Sequence, residues 1–318
     1  KNKPILPSRR TIFLASGIGM VSLIAFGPFV DRSGGAPFRL APNGVKYSEL
    51  SLDSKLAPNP GLNNACITDL AFALAATECR TNDTPSVLLW GDSHAMHLGL
   101  WLAQSDSADA VGVQQVTKSQ CFPILNLAPG RMSNPQGQDC MTFNDNVFEW
   151  VSRQDNITTV VLSSPFNTTT VVRSRAGHLI ENSDNSFALK QLVNTIDALH
   201  SVGKKVVLVS SPPSNGVDLG MCLLTSSLWS KDLSTCDFTS QDFSSWLVRS
   251  YRLLKRVEEY VPIVFLDQLM CSDGVCTTSD DAIFLYRDAD HLSVEGAIAL
   301  GKKVDLFELI LSKAAVDN

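Results

Sequence analysis

The chain has 318 residues, 44% hydrophobic and 18% charged, with a formal net charge of −6. Such a composition supports a globular body of one large domain or two small ones. The acidic balance excludes nucleic acid and anionic lipid as partners held through bulk charge.

The charge is unevenly spread. Residues 1–10, KNKPILPSRR, carry four basic and no acidic groups, and residues 11–30 then run twenty positions without a charge. At about 1.5 Å per helical residue, that run matches the roughly 30 Å hydrocarbon core of a bilayer. Residues 11–30 therefore read as a transmembrane helix, with the basic segment 1–10 in the cytoplasm and the remainder exported. A secretory signal is the competing reading, but its apolar region is only about 7–15 residues and no small-x-small cleavage site follows here. The chain starts at Lys1, as a fragment or a processed product does. Residues 31–60 are rich in Pro, Gly, Ser and Asn without sustained periodicity, and read as a linker. Without the four basic residues at the start, the chain holds 22 basic and 32 acidic groups, a net −10, to which a neutral glycan is the easier partner.

Residues 61–318 read as one domain. Residues 86–100, SVLLWGDSHAMHLGL, place four apolar residues (87–90) before Gly91, and apolar positions then recur at helical spacing. The pattern predicts a strand, a tight turn and a helix over 94–104, with Ser93 in the turn. A serine there lies at the C-terminal edge of a buried strand, beside the free N–H groups and positive dipole end of a helix, where an acyl-transfer oxyanion can be held. Helix capping is the plain alternative. Asp92 reads as a turn-fixing hydrogen-bond acceptor. His94 and His97 lack a cysteine or acidic partner at ligand spacing and read as rim residues, so no metal is expected.

Further strands are predicted over 110–116, 158–163, 205–211 and 262–266, with helices over 144–152, 187–201, 243–260 and 294–313. Strands separated by helices imply an α/β fold with a parallel sheet of about five strands, covered on both faces. Its C-terminal strand ends form one rim. Near the end of the chain, IFLYRDADHLSVEGA (283–297) puts Asp288 three residues before His291 in a polar turn. That spacing sets the carboxylate and imidazole on one side, whereas Asp290, adjacent in sequence, is expected to point elsewhere. Ser93, Asp288 and His291 thus supply nucleophile, orienter and base.

The eight cysteines fall in sequence-local pairs: Cys66 and Cys79, Cys121 and Cys140, Cys222 and Cys236, Cys271 and Cys276. An even count on the exported side of a membrane helix argues for disulfides, and the absence of compact CxxC pairs argues against a metal. Of the 105 possible connectivities, nearest-neighbour pairing is preferred.

GDSH after the first strand and DADHLS near the C-terminus resemble the end motifs of the SGNH/GDSL hydrolase superfamily. LLWGDSHA, TKSQCFP (117–123) and CSDGVCTTSDDAIFLYRDADHLSVEGA resemble, more narrowly, the SGNH domain fused to bacterial acyltransferase-3 membrane proteins, including O-antigen acetyltransferases. The resemblance spans about residues 60–315. It implies a three-layer α/β/α fold, and oxyanion donors from the nucleophile's own N–H, a glycine after the second strand and an asparagine after the third. This chain departs from that pattern: Lys118-Ser119-Gln120-Cys121 has no glycine, and Ser163-Ser164-Pro165-Phe166-Asn167 replaces the usual GxND. The donor set read here is Ser93, a backbone N–H at Ser119 or Gln120, and the Asn167 amide.

The resemblance also implies an acyltransferase-3 membrane domain as partner, which supplies acetyl from cytoplasmic acetyl-CoA, so that no cofactor binds this domain itself. The acceptor is then a polysaccharide such as the O-antigen of lipopolysaccharide, and the location is the bacterial inner membrane with the catalytic domain in the periplasm. Two alternatives stand beside acetyl transfer: a carbohydrate acetylesterase using the same triad with water, and a catalytically silent domain that binds glycan or positions the membrane partner.

Overall fold

The computed structural model describes residues 8–32, 52–67, 70–166 and 171–316. Two compact units divide the chain: Lys1–Leu52 with Leu228–Ser230, and Asp53–Ser227 with Lys231–Asn318. In the first, α1 (Arg9–Arg32) is a single helix with exposed apolar side chains, long and apolar enough over Arg9–Val30 to cross a membrane. Residues 33–51, the larger part of the expected linker, lie outside the described residues.

The second unit is built on β1 (Val87–Gly91), α2 (Ser93–Ala103), β2 (Val113–Thr117), β3 (Leu127–Pro129), α3 (Asn134–Val151), β4 (Thr159–Ser163), β5 (Val171–Ser174), β6 (Leu179–Glu181), α4 (Ser186–Ser201), β7 (Lys205–Val209), α5 (Leu219–Leu228), α6 (Ser245–Val257), β8 (Ile263–Val264), α7 (Val294–Lys303) and α8 (Leu306–Val316). Five parallel strands form the central sheet in the order β2-β1-β4-β7-β8. The chain runs from β1 outward to β2 and then returns to the far side of β1, so the topological switch lies beside β1, where α/β sheets bind their ligands.

Alternation along the strands divides the core. Leu88, Trp90, Val160, Leu162, Val206 and Leu208 face one layer, shared with α3, α4 and α6. Val87, Leu89, Val161, Val207 and Val209 face the other, with α2, α7 and α8. Every residue of β1, β2 and β4 is buried, as expected for parallel strands covered on both faces. The architecture is the three-layer α/β/α expected.

Several predicted bounds move. The second strand begins at Val113 rather than 110, because Ala108–Val111 forms a short helix ended by Gly112 at φ 69°. The helix expected at 144 begins ten residues earlier at Asn134, where Ser133 and Gln136 close a capping box and Pro135 occupies the first turn. The last helix is two, since Asp305 accepts the Glu308 N–H at 2.9 Å and restarts the chain as α8. The small β3-β5-β6 sheet and α5 had no predicted counterpart. Four disulfides join Cys66–Cys79, Cys121–Cys140, Cys222–Cys236 and Cys271–Cys276, and no cysteine is free.

Candidate active site

The site starts at the end of β1. Gly91 is required there by space: a Cβ at this position would stand 1.9 Å from the Ser163 carbonyl oxygen of β4. Only glycine lets the two strands run side by side to their C-terminal ends and turn at once into α2. Asp92 caps that helix, accepting the His94 N–H at 3.0 Å through one carboxylate oxygen and the Ser164 hydroxyl at 2.7 Å through the other. Burial, the largest influence, raises the Asp92 pKa to about 6 against those hydrogen bonds. Asp92 therefore fastens the β1 turn to the β4 turn, as its position in the turn suggested.

Ser93 opens α2 and lies in hydrogen-bonding contact with His291, its Oγ 2.8 Å from the ring Nε2 across 198 positions of sequence. On the far side of the ring, Nδ1 lies 3.0 Å from both carboxylate oxygens of Asp288. Asp288 is itself fixed, accepting the backbone N–H groups of Asp290 at 3.0 Å and His291 at 2.8 Å, with Arg287 Nη2 at 3.2 Å. The loop closes through Arg287 N–H to the His291 carbonyl at 3.0 Å, below a Tyr286–Leu292 bridge.

Asp290 departs from expectation. Its Oδ1 lies 3.0 Å from His291 Nδ1, and its Oδ2 3.9 Å from His94 Nε2. So tight a loop turns both carboxylates toward the ring between them. Asp288 meets Nδ1 with both oxygens and also accepts two backbone N–H groups of the loop, which makes it the orienting carboxylate, with Asp290 a second carboxylate at the same ring nitrogen.

These contacts set the protonation states. Burial works against the His291 cation, but the hydrogen bonds and charges of Asp288 and Asp290 outweigh it and raise the His291 pKa to about 9. Burial also works against the Asp288 anion, yet its bonds to His291 and to the backbone hold it well below the usual carboxylate range. Beneath the ring lie His94 and His97, with centroids 4.7 and 6.0 Å from that of His291. Burial first, and the His291 charge second, lower His94 to about 3. His97 Nδ1 accepts the Leu292 N–H at 3.3 Å, which places its proton on Nε2. Both are neutral supports of the loop rather than exposed rim residues. His94, Asp290 and His291 offer ligand atoms within 4.8 Å of one another. His291 is already engaged on both nitrogens, so that geometry is accounted for without an ion.

The group opens into a cleft of about 390 Å³ lined by Ser93, Gln120, Phe122, Arg131, Trp246 and His291, among others. Gln120 holds φ 62°, in the left-handed region that favours glycine, in the loop where the family pattern has a glycine. The N–H groups of Ser93 and Gln120 donate to no acceptor among the described residues. Asn167 lies outside the described residues. Sequence reasoning passed over Trp246 and Arg131, since neither belongs to a motif and only the fold carries them to the cleft.

A family model described as "SGNH domain (fused to AT3 domains)" matches residues 65–305. Among solved structures, the periplasmic domain of a lipopolysaccharide acetyltransferase from Salmonella ser. Paratyphi A aligns over 85% of this chain and 99% of its own, at 17% identity and a TM-score of 0.57. That likeness is one of fold. A Bacillus subtilis protein, YxiM, aligns over 73% of this chain and 56% of its own, at 14% identity and a TM-score of 0.37. Among curated proteins no match is found. With the family's motifs near both ends of the domain's sequence and its match running through most of the chain, the protein belongs to the SGNH domains that are fused to AT3 domains.

Proposed function

We propose that this chain is the exported domain of a membrane O-acetyltransferase, in which Ser93 receives an acetyl group and passes it to a hydroxyl of a cell-surface polysaccharide such as the O-antigen of lipopolysaccharide. The observation that carries the reading is the Ser93 Oγ–His291 Nε2 contact of 2.8 Å with Asp288 at 3.0 Å behind the ring, at the mouth of a cleft on the sheet's C-terminal rim. As the serine oxygen attacks the acetyl carbonyl, Nε2 takes its proton, and Asp288 holds the tautomer and stabilises the imidazolium. The N–H groups of Ser93 and Gln120 meet the oxyanion. His291 then gives its proton to the leaving group, which leaves the acetyl ester on Ser93. A sugar hydroxyl attacks that ester while His291 takes its proton, and collapse releases the acetylated sugar and restores the serine.

The fusion that marks the family supports an acyltransferase-3 membrane domain as the source of acetyl, drawn from cytoplasmic acetyl-CoA that this domain does not itself bind. The name of the Salmonella neighbour supports the acceptor class and the periplasmic placement. An α1 that spans the inner membrane tethers Ser93 beside that partner, which raises its effective concentration at the donor's exit.

Intact-mass analysis tests the first half-reaction. Wild type exposed to an activated acetyl ester gains one acetyl group, and Ser93→Ala gains none. Glycan acetylation in cells requires both Ser93 and the membrane partner. Rapid removal of acetyl from an acetylated polysaccharide, with glycan acetyl accumulating in cells that lack the protein, replaces this reading with the acetylesterase.

A further inference from the structure

The cleft contains two side chains for which the acyl-transfer chemistry has no use. Trp246 is the second residue of α6, and Ser250, Leu253 and Val257 follow it at i+4, i+7 and i+11 along the helix's buried stripe. Ser250 fixes the helix by donating to the Pro165 carbonyl in the turn after β4. The stripe thus aims Trp246 at the core but ends past the sheet, where the indole is half-buried in the cleft wall with its ring 6.3 Å from that of His94 at 70°. The indole lines the open cleft beside Ser93 and His291.

The same cleft is lined by Arg131, in a turn closed by Met132 N–H to the Pro129 carbonyl at 3.1 Å. Gly130 N–H donates to Val171 at 3.2 Å and Arg173 to the Met132 carbonyl at 2.9 Å, which anchors the turn to β5. The Cys121–Cys140 disulfide ties the rest of the loop to α3. Among the described residues the guanidinium forms no close ion pair, and its charge acts at longer range on the buried Asp92 carboxylate of the same cleft. A solvated aromatic face and a five-donor fork with open hydrogen-bonding capacity, both on pinned backbone, are the two complements of a pyranose. That ring offers an apolar C–H face to an indole and a rim of oxygen acceptors to a planar donor. A cleft of about 390 Å³ is near the small end of the ligand-site range of about 300–1,000 Å³. It suits one or two sugar units and not a longer stretch of polymer.

We infer that Trp246 and Arg131 form the acceptor subsite: a pyranose lies with one ring face on the indole and hydroxyl oxygens of its rim on the guanidinium, which turns another hydroxyl toward Ser93. The inference rests on the acetyl-transfer reading for its sense, but binding alone tests it.

The full chain carrying Ser93→Ala is titrated calorimetrically with glucan, mannan, galactan and uronate tetrasaccharides and with adenosine monophosphate. At least one tetrasaccharide binds. Adding Trp246→Ala weakens that binding tenfold or more, Trp246→Phe restores most of it, and Arg131→Gln weakens it several-fold without rescue by Arg131→Lys. In the Ser93-intact protein, Trp246→Ala raises the KM for that oligosaccharide as acetyl acceptor by more than it lowers the rate of Ser93 acetylation. Binding unaffected by Trp246→Ala, or no tetrasaccharide bound by a protein whose Ser93 still takes acetyl, overturns the subsite and leaves the transfer reading standing. Tighter binding of the nucleotide than of any sugar overturns it as well. Trp246-dependent sugar binding in a protein whose Ser93 takes no acetyl leaves the subsite standing and removes the transferase.

Discussion

Asp290→Asn should speed Ser93 acetylation at neutral pH, whereas Asp288→Asn should nearly abolish it. His291 acts as a base only when its ring is neutral, and its pKa stands at about 9. At pH 7 roughly one ring in a hundred then has a free Nε2 lone pair. Asp290 contributes to that scarcity, its Oδ1 lying 3.0 Å from Nδ1. With about 4 Å between charge centres and an effective dielectric near 20, the attraction is about 4 kcal/mol. Its side chain is 30% exposed, so solvent screening leaves about a third of that, roughly 1.4 kcal/mol, or tenfold in the protonation equilibrium. Removing the Asp290 charge therefore lowers the ring's pKa and raises the rate at pH 7 about tenfold. Asp288→Asn replaces an acceptor-only carboxylate with an amide that can donate to Nδ1 and hold the wrong tautomer, a loss on the order of 10⁴ in serine triads. The assay is the pH profile of kcat/KM from pH 6 to 10 with a small activated acetyl ester. Wild type should rise through about 9, and Asp290→Asn should reach its plateau earlier. Equal losses in the two variants at pH 7 would refute the division of labour between the carboxylates.

The stability carried by the same group runs the other way with pH. Because the folded-state pKa of His291 is raised from 6.5 to about 9, its ion pairs stabilise fully below the unfolded value and are lost as pH rises through about 9. The difference in urea unfolding between wild type and His291→Gln should shrink by on the order of 1–2 kcal/mol from pH 6 to 10, and a difference that grows over that range would contradict the assignment. Gly91→Ala must push β1 from β4, since its Cβ meets the Ser163 carbonyl at 1.9 Å. A loss of about 3 kcal/mol in chemical denaturation, together with loss of Ser93 acetylation, is expected, and wild-type stability would show that the strands are not so closely placed. Cys140→Ser opens a loop of sequence separation 19, worth about 3 kcal/mol in the chain-entropy account. It also frees the segment that presents Gln120, so esterase activity should fall further than after Cys222→Ser, and equal effects would separate Gln120 from the oxyanion.

Much of the site was legible because its parts are local. A fully buried strand, a glycine that a neighbouring strand requires and a capped helix are all written within residues 87–103, and Asp288 and His291 share one turn. What was missed depended on signals of another kind. The capping box at Ser133 and Gln136 was present in the sequence, but the polar first half of α3 hid the helix from a reading based on apolar periodicity. Asp305 likewise marks the start of α8 within an unbroken helical pattern. Asp290 could not be placed from spacing, because the hydrogen bond from Arg287 N–H to the His291 carbonyl curls the loop until the carboxylates on either side of Ala289 face the same ring. Trp246 and Arg131 reach one cleft only after strands from separate parts of the chain pair, so no local pattern contains them.

The loop that carries Asp288 and His291 accounts for chain beyond the sheet and its helices. A loop bearing a base must hold it within about 0.5 Å of the productive geometry, and loops do so only when other residues fix them. Here the supports come from distant parts of the sequence. Ser214 donates to the Ala289 carbonyl at 2.7 Å and Tyr286 to the Pro213 carbonyl at 2.8 Å. Gly220 of α5 lies so close that a Cβ would stand 2.1 Å from the Arg287 carbonyl oxygen. From the opposite side, buried Asn59 donates to the Ser293 carbonyl at 3.1 Å, and Lys55 pairs with Glu295 at 2.7 Å. Residues 53–60, which composition alone presents as tether, therefore brace the backbone just after His291. Lys55 and Asn59 reach the chain at Glu295 and Ser293, within four residues of His291, so this stretch is part of what holds the ring against Ser93.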